Sequence, residues 1–404
     1  FRGGGRERFE DEFISYWIRW RKISGRFVSL CNPSGPTRWV YCYDFGKFKL
    51  IAETDAAIKS WGRNYYGKKP KSVGIEKIPL AVLERPWHPN QYPADVRSLL
   101  TTIAECEDAN RIVQEYLFTT PVEGRKKVLV GFPGENGFGF AGLMLPSVGE
   151  HSHRKRYHQN HMERLGFGFR NNKLPEHVFL SRMCAIPFRG ALVKRCDGPW
   201  VHGRGRNPQS ETLMKKIVVC VGVGSLGSGA GELLAKMGVG RIIFVDPDEL
   251  ESENASRHTL GVCPEEAKKS DKLAENLRTR FPHLKIDSYP MRWENLNQRL
   301  PDVLSAADLV ISTTGDWGAE GPLNLVAKDT KGFPPIIFGW VEEHAAAGHV
   351  AVFFKGKGCL ECLVDQRGRS TIPVTNWPEE GTVLQVPFCG GMFQPYAAIE
   401  LSHS

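Results

Sequence analysis

The stretch from Lys215 to Lys269 constrains this chain more than any other. An apolar run, Ile217 to Val221, reads as a buried strand and leads straight into Gly222-Val223-Gly224-Ser225-Leu226-Gly227. Leu226, Leu233, Leu234 and Met237 then recur at helical spacing, and a second apolar run, Ile242 to Val245, ends on Asp246. Strand, glycine-rich turn, helix and strand make a βαβ unit. Glycine is demanded at the turn because backbone there must approach a phosphate closely and take conformations closed to a residue with a Cβ. Asp246, at the tip of the second strand, stands where a ribose hydroxyl is held in such units. Gly222, Gly224, Gly227 and Asp246 therefore predict a bound nucleotide, without saying for which chemistry.

The residues that follow separate the possibilities. Asp246-Pro247-Asp248 leads into Glu251-Ser252-Glu253-Asn254-Ala255-Ser256-Arg257-His258, and Lys269 comes soon after. A nicotinamide-dependent dehydrogenase shares the glycine turn and the strand-end acid, but has no use for a cationic cluster here. An enzyme that attacks the α-phosphate of ATP needs cations to bind the triphosphate and stabilise charge as pyrophosphate leaves. It also needs a carboxylate for Mg²⁺. Asn254, Arg257 and Lys269, with Asp248 beside them, meet that need. A solvated polar loop explains any one of these residues but not the set.

With those residues in view, 211–400 resembles the ThiF/MoeB-type adenylating fold shared with ubiquitin-activating enzymes. The matching pieces are VGVGSLGS, AKMGVGRIIFVDPDELESENASRH, the lysine of EAKKSDKLAENL, DLVISTTGD, GCLECL and VPFCGGMFQPYAA. The resemblance implies a Rossmann-like α/β domain over 211–404 with ATP at the glycine turn and the ribose on Asp246. It implies triphosphate on Asn254, Arg257 and Lys269. It also implies an arginine ahead of the first strand, supplied by the other subunit of a homodimer; Arg204 and Arg206 both fit by position. The family's Mg²⁺ aspartate follows the DLVIST strand. Gly315 falls at the strict position and Asp316 comes next, so Asp316 is the candidate. Cys389 occupies the place where thioester-forming members carry their nucleophile. Its chemistry would be attack of a thiolate on an acyl-adenylate, with two following glycines leaving access for an extended tail. A structural cysteine, or a third metal-site cysteine, is the other reading. Cys359-Leu-Glu-Cys362 has the spacing of half a zinc site. Bacterial members complete the tetrahedron with a second Cys-x-x-Cys that these 404 residues do not contain. Zinc here needs ligands beyond Ser404; otherwise the two thiols are free or paired.

The remaining sequence sets the frame. At 404 residues, with 41% hydrophobic and 24% charged residues, the chain has room for two or three ordinary globular domains. No run approaches a transmembrane helix, and no signal-peptide pattern opens the chain. A chain starting on Phe1 and stopping at Ser404 as a helix begins is expected to be trimmed at one or both ends. Ten scattered cysteines fit a reducing cytoplasm better than a secreted disulfide framework. A net charge of +8 is modest, and the densest basic cluster, HSHRKRYHQNH at 151–161, reads as a solvated connector rather than a nucleic-acid surface.

Residues 1–150 read as an α+β domain. An amphipathic helix carries Phe9, Phe13, Tyr16, Trp17 and Trp20, and a meander of short strands follows, then a helix over VRSLLTTIAECEDANRIVQEYL and one more strand. Trp87-His88-Pro89-Asn90 is similar to the His-Pro-Asn turn of ubiquitin-conjugating enzymes, but the next cysteine, Cys106, falls inside that helix. A vestigial conjugating-enzyme-like domain or an unrelated one, rather than an active conjugating enzyme, is the expectation. Residues 151–210 read as a basic linker.

Taken together, the sequence predicts an enzyme that uses Mg·ATP to adenylate the C-terminal glycine carboxylate of a ubiquitin-like β-grasp protein. It then captures that carboxyl on Cys389 for a separate conjugating-like enzyme. The extra N-terminal domain is similar to enlarged activating enzymes of bacterial ubiquitin-like conjugation systems, some of which serve antiphage defence. Sulfur-carrier adenylation, as in thiamine or molybdopterin synthesis, and a non-catalytic module that presents a carrier protein are the alternatives.

Overall fold

A computed structural model of the chain describes residues 12–20, 23–67, 74–119, 125–134, 137–145, 188–263, 265–354, 356–377, 382–385, 392–393 and 396. Two compact units are present, Phe1–Arg206 and Asn207–Ser404. The basic cluster at 151–161, Phe9 and Cys389 lie outside the described residues.

In the first unit, strands Ile23–Ser29 (β1), Arg38–Asp44 (β2), Lys49–Ala52 (β3), Ile75–Val82 (β4), Lys127–Gly134 (β5), Gly137–Met144 (β6) and Arg189–Arg195 (β7) form a closed barrel. Its order is β1-β3-β2-β4-β5-β6-β7, with β7 returning to β1. An antiparallel meander is only part of this. β1 runs parallel to both β3 and β7, and β4 runs parallel to β5. Parallel neighbours need a crossover, and helices Val96–Thr102 and Glu107–Thr119 provide it between β4 and β5. β7 lies in the stretch read as a connector. Its short apolar middle is flanked by Arg189, Lys194 and Arg195, which hides a strand inside a basic composition.

The single helix expected between Val96 and Leu117 is broken in two. Thr101 and Thr102 turn their hydroxyls back onto the carbonyls of Arg97 and Ser98 at 3.0 and 2.6 Å. Glu107 and Asp108 then open a fresh acidic first turn. Cys106 lies half-buried at this break rather than within a helix. Helix Phe13–Arg19 buries Phe13 and Trp17, four residues apart, and the Trp17 indole N–H donates to Ala191 O on β7 at 3.2 Å. The N-terminal helix and the closing strand are thereby tied together.

The second unit is a doubly wound α/β layer. Strands Ile217–Val221 (β8), Arg241–Val245 (β9), Lys285–Tyr289 (β10), Leu309–Ser312 (β11), Ile336–Val341 (β12) and Gly348–Phe353 (β13) form one sheet in the order β10-β9-β8-β11-β12-β13. All pairs are parallel except the β12–β13 hairpin. Alternate residues of β8 and β9 feed two separate cores. Val219, Val221, Ile243 and Val245 face one, and Val218, Cys220, Ile242 and Phe244 face the other. Burial on both faces is why these strands read as unbroken apolar runs.

Helix Ser225–Met237 follows β8, but its core face is not the leucine stripe that the spacing marks. Leu233 and Met237 are 59% and 51% exposed, while Gly227, Ser228, Gly231 and Ala235 are buried. Small residues let the helix sit close on the sheet. A Cβ at Gly231 would come within 2.6 Å of the Phe244 ring. The preceding helix is Pro208–Leu213. Among the described residues no helix is long and apolar enough to cross a membrane.

Trp17→Ala removes a fully buried indole and its bond to β7. The expected outcome is a loss of about 3–5 kcal/mol from the first unit, read as a lower urea midpoint by tryptophan fluorescence.

Candidate functional site

Strand order reverses between β8 and β11: from β8 the chain builds outward through β9 and β10, then returns to the other side for β11 and β12. A crevice forms at the carboxyl ends of the strands at such a point, and ligands of doubly wound folds bind there. The glycine turn and the segment Ser312–Asp316 are the two chain ends that meet at this place.

Each glycine of the turn has a different task. Gly222 has a left-handed φ of 82° and abuts the Thr313–Thr314 peptide, so a Cβ would sit 3.0 Å from backbone. Gly227 is tighter still, since a Cβ would lie 2.0 Å from Gly222 O and 2.6 Å from Thr313 Oγ1. Thr313 locks the contact by donating its hydroxyl to Gly222 O at 3.0 Å. A Cβ on Gly224, by contrast, meets nothing within 4 Å. The space beside Gly224 is thus open, and no side chain caps the start of helix Ser225–Met237. Uncapped N–H groups at a helix start beside open space are suited to an anion.

Asp246 is buried, and both carboxylate oxygens accept backbone N–H groups: Val223 at 2.7 Å and Asp248 at 2.8 Å. Burial pushes its carboxyl pKa upward, while these two bonds oppose the rise. Asp246 braces the turn, a task the sequence did not reveal. Lys269 opens helix Lys269–Arg280. Its N–H donates to Asp248 O at 2.9 Å, and its Nζ lies 3.0 Å from Asp248 Oδ2. The Lys269 side chain is 12% exposed and that of Asp248 65%, so the cation is fixed and its partner is free to move aside.

Asn254 closes a short turn, Ser252–Asn254, with its Oδ1 accepting from Glu251 N–H at 3.4 Å. Arg257 donates to Glu253 O at 3.2 Å, and its guanidinium lies 5.2 Å from the centre of the Tyr396 ring. His258, the next residue, was not singled out by sequence. It is buried, and its Nε2 lies 2.9 Å from Val223 O within the glycine turn. A separation of 35 residues from that partner leaves no local signal to find it by.

On the β11 side, Gly315 takes a left-handed φ of 62°, which turns the chain out of the strand. Asp316 then caps helix Trp317–Asp329 by accepting from Gly318 N–H at 2.9 Å, with its carboxylate exposed at the crevice rim. Glu320, also missed by sequence, is buried behind this turn and accepts from Ser312 Oγ at 2.9 Å and Thr314 N–H at 3.3 Å. Burial raises its pKa against those bonds.

Other expected residues fall elsewhere. Arg204 and Arg206 belong to the first compact unit. Arg204 has a left-handed φ of 55°, with its guanidinium 5.8 Å from the Trp200 ring centre. Cys359 and Cys362 bracket the short turn Leu360–Cys362, which Asn324 holds by accepting from Leu360 N–H at 2.8 Å. Cys359 Sγ faces Glu361 Oε2 at 3.6 Å. No group of three His, Cys, Asp or Glu able to hold a metal exists among the described residues, so these two thiols do not by themselves fit a tetrahedral zinc site.

The chain is similar in sequence to several known proteins. Uncharacterized protein y4oA of Sinorhizobium fredii is 29% identical over 214 residues, covering 46% of this chain and 35% of that protein. Ubiquitin-like modifier-activating enzyme 5 of Bombyx mori is 31% identical over 166 residues, covering 38% of this chain and 41% of that protein. ATP-dependent ubiquitin transferase-like protein Cap2 of Pseudomonas aeruginosa is 25% identical over 217 residues, 52% of this chain and 38% of that protein. The chain thus spans well under two thirds of the length of each of these relatives. Residues 204–395 match the ThiF family model, and the chain carries a ThiF family domain.

Proposed function

We propose that the second unit is an ATP-dependent adenylating enzyme acting on the C-terminal carboxylate of a protein. The observation that carries this reading is the open, uncapped helix start at Gly224, with Lys269 and Arg257 on the segments that follow β9. Phosphate oxygens bind the N–H groups of the turn. Lys269 exchanges its exposed Asp248 partner for phosphate, and Arg257 supplies the second positive charge. A carboxylate oxygen of the acceptor attacks the α-phosphorus, the bond to the β-phosphate breaks, and pyrophosphate departs with the charge these cations stabilise. Mg²⁺ accompanying ATP neutralises phosphate charge. Asp316 suits it: its carboxylate is exposed and caps its helix through one oxygen, and Mg²⁺ sites on nucleotides use only one or two carboxylates.

The acceptor we favour is a β-grasp ubiquitin-like protein ending in glycine. Names among the relatives support this: a ubiquitin-like modifier-activating enzyme and a ubiquitin transferase-like protein. In that scheme the Cys389 thiolate attacks the acyl-adenylate carbonyl, AMP leaves, and a thioester is held for transfer to a conjugating-type enzyme. A homodimer, with Arg204 or Arg206 reaching a partner's site, belongs to the same proposal.

Three outcomes test it. ATP–pyrophosphate exchange should require the carrier protein, and Cys389→Ala should keep that exchange while losing the thioester on non-reducing gels; loss of both would assign Cys389 elsewhere. Lys269→Ala should slow exchange by about 10²-fold, as removal of one charge-stabilising donor does. Gly224→Ala should leave the melting temperature nearly unchanged yet weaken ATP binding by calorimetry, whereas Gly227→Ala should destabilise the unit because its Cβ strikes backbone. Equal effects of the two glycine changes would remove the argument for an anion cradle at Gly224.

A further inference from the structure

Val223 is held through both of its backbone polar groups, one in each of the two peptides it joins. Its N–H donates to Asp246 Oδ2 at 2.7 Å, and its carbonyl is met by His258 Nε2 at 2.9 Å. A carbonyl can only accept, so Nε2 carries the proton. Nδ1 of the same ring lies 3.3 Å from the Leu260 N–H, so Nδ1 accepts. Both bonds are satisfied at once only by the neutral ring in the Nε2–H tautomer. Burial, the largest cause, holds His258 below its usual pKa against the opposing pull of its bond to Val223 O, and the nearby charge of Lys269 adds to the lowering, consistent with that neutral state.

The neighbouring residue extends the same contact. Thr259 N–H donates to Ser228 Oγ at 3.3 Å, and Ser228 is buried in the first turn of helix Ser225–Met237. The loop that carries Asn254 and Arg257 is therefore fastened at two points to the loop and helix that form the anion cradle. One fastening is to the peptide just before Gly224, the residue with open space beside it.

We propose that His258 is a positioning residue for nucleotide binding. It sets the plane of the Val223–Gly224 peptide, so that the N–H groups following it are aimed at the phosphate before ATP arrives. It also keeps Arg257 in register with that cradle. A hydrogen-bonding side chain of suitable reach is what the position needs, and imidazole charge plays no part. The proposal rests on the adenylation reading for its ATP arm, and on the geometry alone for its backbone arm.

The test uses the full chain and two variants. His258→Leu keeps bulk but cannot donate; His258→Gln keeps an amide N–H that can reach Val223 O. Hydrogen exchange without nucleotide should show faster exchange at the bonded amides of Val223 and Thr259 in His258→Leu and near wild-type protection in His258→Gln, with melting temperatures close to one another. ATP affinity by calorimetry should fall about 3- to 10-fold in His258→Leu, as loss of one neutral hydrogen bond predicts, and return in His258→Gln. Unchanged protection and affinity in His258→Leu, or a folded His258→Gln that behaves like His258→Leu, would overturn the assignment. A wild-type chain that bound no ATP would sink the adenylation reading, while hydrogen exchange would still decide what His258 does.

Discussion

The close approach of Gly222, Gly227 and Thr313 is the contact on which the second unit depends. With Gly222 O only 2.0 Å from where a Cβ on Gly227 would lie, helix and turn can pack this way only if residue 227 has no side chain. The Thr313 hydroxyl donating to Gly222 O then welds the end of β8 to the end of β11 across the point where strand order reverses. Helix Ser225–Met237 must start at that place, and the N–H groups of its first turn have no helical partners of their own. The anion site proposed there would follow from packing rather than from any charged side chain.

Charge enters as a second layer, and the structure spends much of it on holding backbone. Asp246 gives each oxygen to a peptide N–H, and Glu320 bonds Ser312 and Thr314 behind the β11 turn. Buried carboxylates are costly unless so satisfied. Their return is two turns held at fixed spacing on either side of the crevice. Lys269 is kept in place by a partner that is itself mostly exposed, so in the proposed reaction an incoming phosphate would compete against a weakly held carboxylate.

A comparable device stands at the far edge of the sheet. In the β12–β13 hairpin, Glu342 accepts from His349 at 2.6 Å, Val374 N–H at 2.7 Å and Thr375 N–H at 2.8 Å, and also from the Thr375 hydroxyl. Burial opposes ionisation, but these bonds together hold its carboxyl down to about 2. His344 and Ala345, at the tip of the hairpin, adopt left-handed φ values of 57° and 51°. Non-glycine residues rarely take such conformations.

What the sequence determined by itself was local. Apolar runs of strand length, a glycine turn between them and a cationic stretch after the second run were enough to predict a βαβ unit and a phosphate ligand, because each rests on neighbours within about fifty residues. Helix Ser225–Met237 was legible, but its buried face was not: glycine and serine carry no hydrophobic signal, although close packing selects them. Tertiary structure decided the rest. A basic stretch proved to contain β7, since a strand that closes a barrel is defined by β1 and β6, far away in the chain. Asp246 was marked as a ligand residue by position, yet its brace on the turn depends on Val223 folding back over it. His258 and Glu320 gave no sequence signal at all. Their roles come from bonds to Val223 and to the β11 turn, and such partners exist only once the sheet has brought the ends of β8, β9 and β11 together.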